Sequence, residues 1–150
     1  MKKQFYAEIS ERNNDELEII SHVYLLTTYS NRTTILSKAC LPWIINTLRT
    51  MTRDEYGVEH EAVNVFDEYR IMLDFREMNN RNSFNLAIIP FWNDRKKYQN
   101  SSAVQIPYCA NFDPGHGQEM EYVEPFLKQL EQYVPEEERA KLVPPWPQFK

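Results

Sequence analysis

Apolar and polar residues alternate with period two along most of this chain, and the helical period takes over in only a few places. Phe5, Ala7 and Ile9 fall on one side of residues 4–9, the signature of a short strand. Residues 10–15 (Ser-Glu-Arg-Asn-Asn-Asp) are turn chemistry. Residues 17–29 are rich in β-branched and aromatic side chains and predict a long strand, giving an N-terminal hairpin. Residues 30–33 predict a second turn, and residues 35–40 a further strand. Pro42 then suits the first turn of a helix, with Leu41, Ile44, Ile45, Leu48 and Met51 on one face and Gly57 as a stop. Residues 59–68 fit a short strand or a helical turn equally.

The second half is clearer. Tyr69, Ile71, Leu73 and Phe75 alternate with Arg70, Met72, Asp74 and Arg76. Phe84, Leu86 and Ile88 alternate toward Trp92 after an asparagine-rich loop, so the two runs predict an antiparallel hairpin. Pro90 and Pro107 cannot donate to a ladder, which places them at an edge, a bulge or a strand end. Residues 103–109 predict another strand. Val123, Phe126, Leu127, Leu130 and Tyr133 predict an amphipathic helix, and Pro135-Glu136-Glu137-Glu138 opens a short one. Strands cluster with few helices between them, which argues against a parallel βαβ architecture. The expectation is an α+β fold over residues 1–142 as a single domain. It would hold one mostly antiparallel sheet of about five strands, with two to three helices packed on one face. Residues 143–150 predict an extended proline-rich tail.

Composition narrows the function. At 150 residues and 42% hydrophobic, the chain can build one ordinary core. Three glycines, where about ten are usual, leave no dinucleotide-binding fingerprint and no phosphate loop. No apolar run approaches a membrane span. No apolar segment follows Lys2 and Lys3, so no secretory signal is expected and a cytoplasmic setting is. Cys40 and Cys109 then read as reduced thiols, Cys40 inert in apolar company. The net charge of −5 disfavours bulk nucleic-acid binding. The charge is uneven, however. Residues 70–97 carry Arg70, Arg76, Arg81, Arg95, Lys96 and Lys97, while residues 119–139 are dominated by glutamates.

Candidate chemistry is sparse. Asp113-Pro114-Gly115-His116-Gly117 resembles a signature of zinc-dependent N-acetylmuramoyl-alanine amidases, in which the histidine is a metal ligand; that resemblance would make His116 a ligand. It covers five residues. No histidine follows His116, and a catalytic zinc needs about three protein ligands, so the segment reads as a turn and no metal or cofactor is expected. As a general base, His116 could be oriented by Asp113 or Glu119. Phe91 to Tyr98 interleaves aromatics with Arg95, Lys96 and Lys97, so Trp92, Arg95, Lys96, Lys97 and Tyr98 are candidate binding residues. Trp146, within Pro144-Pro145-Trp146-Pro147, is another. Aromatic residues at 13% and segregated charge favour a non-catalytic module that binds a partner protein, of inhibitor, immunity or anti-defence type. The asparagine- and isoleucine-rich composition is compatible with a phage or microbial origin. The alternative is a small enzyme, or a protein for a nucleotide or small anionic ligand, using the 113–119 loop and the Arg95–Lys97 cluster.

Overall fold

The computed structural model describes residues 5–25, 28–51, 58–67, 69–77, 84–108 and 122–145. The first strands form a meander: β1 (Phe5–Glu11), β2 (Glu16–Leu25) and β3 (Thr28–Ser37), antiparallel in the order β1-β2-β3. Asn13 makes the first turn, its Oδ1 accepting from the Asp15 backbone N–H at 2.9 Å. A 3-10 turn, Lys38–Cys40, is capped by the Ser37 hydroxyl and leads into α1 (Leu41–Thr50). Pro42 sits in the first turn of α1, and Leu41, Ile44, Ile45 and Leu48 are buried. A second antiparallel meander follows: β4 (His60–Phe66), β5 (Tyr69–Glu77), β6 (Phe84–Trp92) and β7 (Val104–Tyr108), in the order β4-β5-β6-β7. Helices α2 (Val123–Glu131) and α3 (Glu136–Arg139) close the described chain.

The fold is therefore α+β and antiparallel, but the single sheet of about five strands is corrected to two sheets with seven strands among the described residues. Two local readings explain the difference. Residues 30–33 resemble a turn by composition, yet they belong to β3, where Ser30, Asn31 and Arg32 lie exposed beyond the apolar end of the strand. Residues 60–66, ambiguous by pattern, form β4, whose side chains alternate between half-buried and exposed. The strand expected over residues 35–40 ends at Ser37.

The sheets and helices share one apolar cluster. It joins Leu17, Ile19 and Leu36 of the first sheet to Ile71, Leu73, Leu86 and Ile106 of the second, with α1 and α2 contributing Ile44, Ile45, Phe126 and Leu127. Phe5 packs edge-on against Phe126 at 5.9 Å between ring centroids. The edges of the first sheet are finished by side chains and one loop N–H rather than by strands. Gln129 and Tyr133 donate to the carbonyls of Ala7 and Ile9 on β1, both at 3.0 Å. On β3, the Ser102 N–H donates to the Thr33 carbonyl at 2.8 Å, and the Ser101 hydroxyl accepts from the Ile35 N–H at 3.0 Å. These contacts satisfy edge groups that would otherwise template association. Pro107 lies on the edge strand β7, and Pro90 pairs only toward β5, past the end of the β7 ladder.

Candidate functional site

The candidate binding segment begins at the end of β6. Trp92 and Tyr98 are 8% and 7% exposed and stack at 4.0 Å. Tyr69 stacks on the other side of Trp92 at 4.3 Å, making a three-ring pile. The Trp92 indole donates to the Ile35 carbonyl at 3.2 Å, and the Tyr98 hydroxyl donates to the Glu16 carboxylate. These two aromatics thus fasten the loop to the first sheet. Between them Arg95, Lys96 and Lys97 are exposed. Asp94 turns the chain there, its carboxylate accepting from the Lys97 backbone N–H at 3.1 Å. The Lys97 ammonium is held above its ordinary range by its hydrogen bond with Tyr98, and lies 5.2 Å from that ring's centre.

Beside this loop lies a groove of about 560 Å³, lined by Arg70, Phe91, Asn93, Arg95, Gln99 and Ser101 together with Trp92 and Tyr98. Among the described residues, no carboxylate lines it. Arg70 faces Phe91 across the β5–β6 ladder, and its guanidinium carbon sits 4.6 Å from that ring's centre. The ladder continues to β4, where Val65 opposes Arg70 and Val63 opposes Met72. Val65, Val63 and Phe91 are 71%, 50% and 38% exposed. The outer face of the second sheet therefore joins apolar ground to cationic walls. Among the described residues, Arg95 and Lys96 make no ion pair. A guanidinium beside an aromatic face can hold a carboxylate or phosphate bidentately while the ring takes apolar contact.

The first sheet carries a separate polar arrangement on its outer face. His22 lies between Glu8 and Tyr29, hydrogen-bonded to both. His60, by contrast, stacks on Phe75 at 4.4 Å and bonds the Val58 carbonyl.

Of the residues picked from sequence, Trp92, Arg95 and Tyr98 line the groove, while Lys96 and Lys97 lie on the exposed loop between Trp92 and Tyr98. Asp113, His116, Glu119, Trp146 and Cys109 lie outside the described residues. Arg70 and Phe91 were not singled out, although strand parity marks them: if Tyr69, Ile71, Leu86 and Ile88 point inward, Arg70 and Phe91 point outward. Glu8 and Tyr29 leave no such signal. Cys40 is fully buried with its thiol donating to the Ser37 carbonyl at 3.0 Å, and burial pushes it up to about 12. Among the described residues, no three acidic, histidine or cysteine side chains gather as metal ligands, and no helix is long and apolar enough to cross a membrane. Compared with protein-family models, curated proteins and solved structures, the chain matches none.

Proposed function

We propose that this protein is a non-catalytic interaction module, and that the Arg70–Phe91–Arg95 groove with the neighbouring valines receives an acidic segment of a partner protein. One observation carries the reading: a groove with two arginines and no carboxylate among its described lining residues, continuous with exposed Val63, Val65 and Phe91, on a chain whose net charge is −5. Cationic walls select acidic partners and speed encounter, while the apolar ground supplies the area that holds them. Trp92 and Tyr98, nearly buried, help set the shape of the site. Inhibitor, immunity and anti-defence proteins act by such occlusion, and a reduced, buried Cys40 suits a cytoplasmic setting.

A second reading has its own support. The groove's volume falls within the range of small-ligand pockets, about 300–1,000 Å³, so a nucleotide or small anion is its rival occupant. Fluorescence anisotropy with a labelled peptide of alternating glutamate and leucine separates them. The interaction reading expects binding that weakens about ten-fold, or about 1.4 kcal/mol, in Arg95→Glu/Lys96→Glu/Lys97→Glu. It also expects weakening in Val65→Asp and no displacement by ATP. Displacement by ATP with Val65→Asp unaffected assigns the groove to small anions instead. No peptide binding to the unsubstituted protein refutes the interaction reading at this groove.

A further inference from the structure

The outer face of the first sheet holds a hydrogen-bonded chain that the groove does not use. The register places Tyr6 opposite His22 and His22 opposite Asn31, with Tyr24 opposite Tyr29. His22 Nε2 lies 2.9 Å from the Glu8 carboxylate, and His22 Nδ1 lies 2.7 Å from the Tyr29 hydroxyl. Asn31 Nδ2 donates to the same hydroxyl at 3.2 Å. The donor inventory fixes the proton directions. A carboxylate only accepts, so Nε2 carries the hydrogen. Neutral imidazole then has its lone pair on Nδ1, and the phenol, already accepting from Asn31, donates to it. The order carboxylate, imidazole, hydroxyl is that of an activated nucleophile. Tyr6 stacks on the imidazole at 4.3 Å, with ring planes 10° apart, and holds its orientation. His22 is 9% exposed, whereas Tyr29 is 45% exposed and open to a reagent.

We infer that Tyr29 is a nucleophilic modification site for neutral activated acyl groups, with His22 as its base and Glu8 as the positioning residue. The surroundings choose the substrate class. Glu8 flanks the relay, Glu18 lies on the same sheet face, and the chain is acidic overall. A phosphoryl donor would bring further negative charge to this face, and an uncharged acyl donor would not. In the step, the Tyr29 oxygen bonds to the carbonyl carbon and its proton passes to His22 Nδ1. The bond from carbon to the leaving group then breaks. The leaving group takes the electron pair and receives that proton from His22. The product is the tyrosyl ester, and the relay returns to its starting state.

The test is acetylation of the full chain by N-acetylimidazole, with each tyrosine followed by peptide mass spectrometry. Tyr29 should acetylate faster than Tyr6, which has nearly the same exposure at 41%. General-base assistance contributes about 10²-fold or more, so His22→Gln should slow Tyr29 by roughly that factor and leave Tyr133, which does not touch His22, unchanged. Free imidazole added to His22→Ala should restore part of the rate at Tyr29 alone, a rescue that a merely structural histidine would not show. Glu8→Gln should slow Tyr29 less than His22→Gln does. Tyr29 reacting no faster than Tyr6 overturns the inference, as does an unchanged rate in His22→Gln. If the His22 variants expose all tyrosines alike through loss of fold, Glu8→Gln decides: selective slowing of Tyr29 supports the relay, and an unchanged Tyr29 rate refutes it.

Discussion

Arg49 is the residue whose replacement should cost this fold most for a polar side chain. Its side chain is 1% exposed, within α1. Its guanidinium meets Glu124 of α2 through two bonds, Nε to Oε1 at 3.0 Å and Nη2 to Oε2 at 2.6 Å. Nη1 donates to Glu131, one helical turn pair further on, and to the Val143 carbonyl at 2.8 Å. One cation thus ties α1, α2 and the chain beyond α3, helped by Asn46, which accepts from the Val143 N–H at 2.8 Å. Burial alone would disfavour the charge on Arg49, but the two carboxylates outweigh it and raise its pKa. In Arg49→Ala the glutamates, 13% and 21% exposed at their side chains, remain to face each other without a counter-charge. Breaking a buried pair from one side costs about 3–5 kcal/mol. For a chain of this size that is a fall in Tm of roughly 6–20 °C, at about 2–4 °C per kcal/mol. Urea unfolding followed by far-UV circular dichroism reads it as a lowered midpoint with an unchanged slope. Arg49→Lys should recover part of the loss, since an ammonium keeps the charge but cannot make the bidentate fork. A loss below about 1 kcal/mol in Arg49→Ala, the size of an exposed pair, would refute the clamp.

Other outcomes follow from the same geometry. Burial pushes the Glu16 carboxyl up, but hydrogen bonds from Tyr98 and Asn13 and the Arg12 charge leave it lowered overall; its stabilisation is therefore full above the unfolded value of about 4.3 and is lost as pH falls through the folded one. Urea midpoints should drop on acidification below about pH 5, less steeply in Tyr98→Phe, and equal slopes in the two proteins would contradict this. Trp92→Phe keeps the stack and orphans the Ile35 carbonyl, so it should cost about 1–3 kcal/mol by urea unfolding. The Cys40 thiol should react with Ellman's reagent only as fast as the protein unfolds, and rapid native labelling would show the site to be open.

What was legible in the sequence depended on whether a residue's environment is set by its near neighbours. The β5–β6 hairpin follows from parity alone, because Ile71, Leu73, Leu86 and Ile88 need one apolar side and take it. The apolar stripes of α1 and α2 follow from helical spacing in the same way. The two-sheet division did not follow. Strand count and order are the same whether β3 pairs with a later strand or, as here, has its edge closed by Ser101 and Ser102. Tyr29 shows the cost of a misplaced turn. Read as the end of the strand that holds His22, it could never face that residue; the hairpin brings it back across β2. Glu8 and His22 are 14 residues apart, and only the β1–β2 register makes them partners. Arg49 is polar in sequence and buried in structure because its carboxylates lie 75 and 82 positions away.

That last fact changes what the charge pattern means. The glutamate-rich stretch from residue 119 to 139 reads as an acidic surface, yet Glu124 and Glu131 turn inward onto Arg49. Of its acids, the exposed ones among the described residues are Glu136, Glu137 and Glu138, in the first turn of α3. Carboxylates there meet the positive end of their own helix, which gives them a local role as well. The cations of the other stretch are divided too. Arg76 pairs with Asp74, while Arg70 and Arg95 stand in the groove with no carboxylate beside them among its described lining residues. Among the described residues, two glutamates of the acidic half are thus consumed by Arg49 and three stand exposed over the start of their own helix. Among the described residues, the basic half leaves Arg70 and Arg95 uncompensated next to Phe91 and the exposed valines. An interaction surface is better sought where charge remains uncompensated than where it is most abundant, and here that criterion selects the groove over the acidic helices.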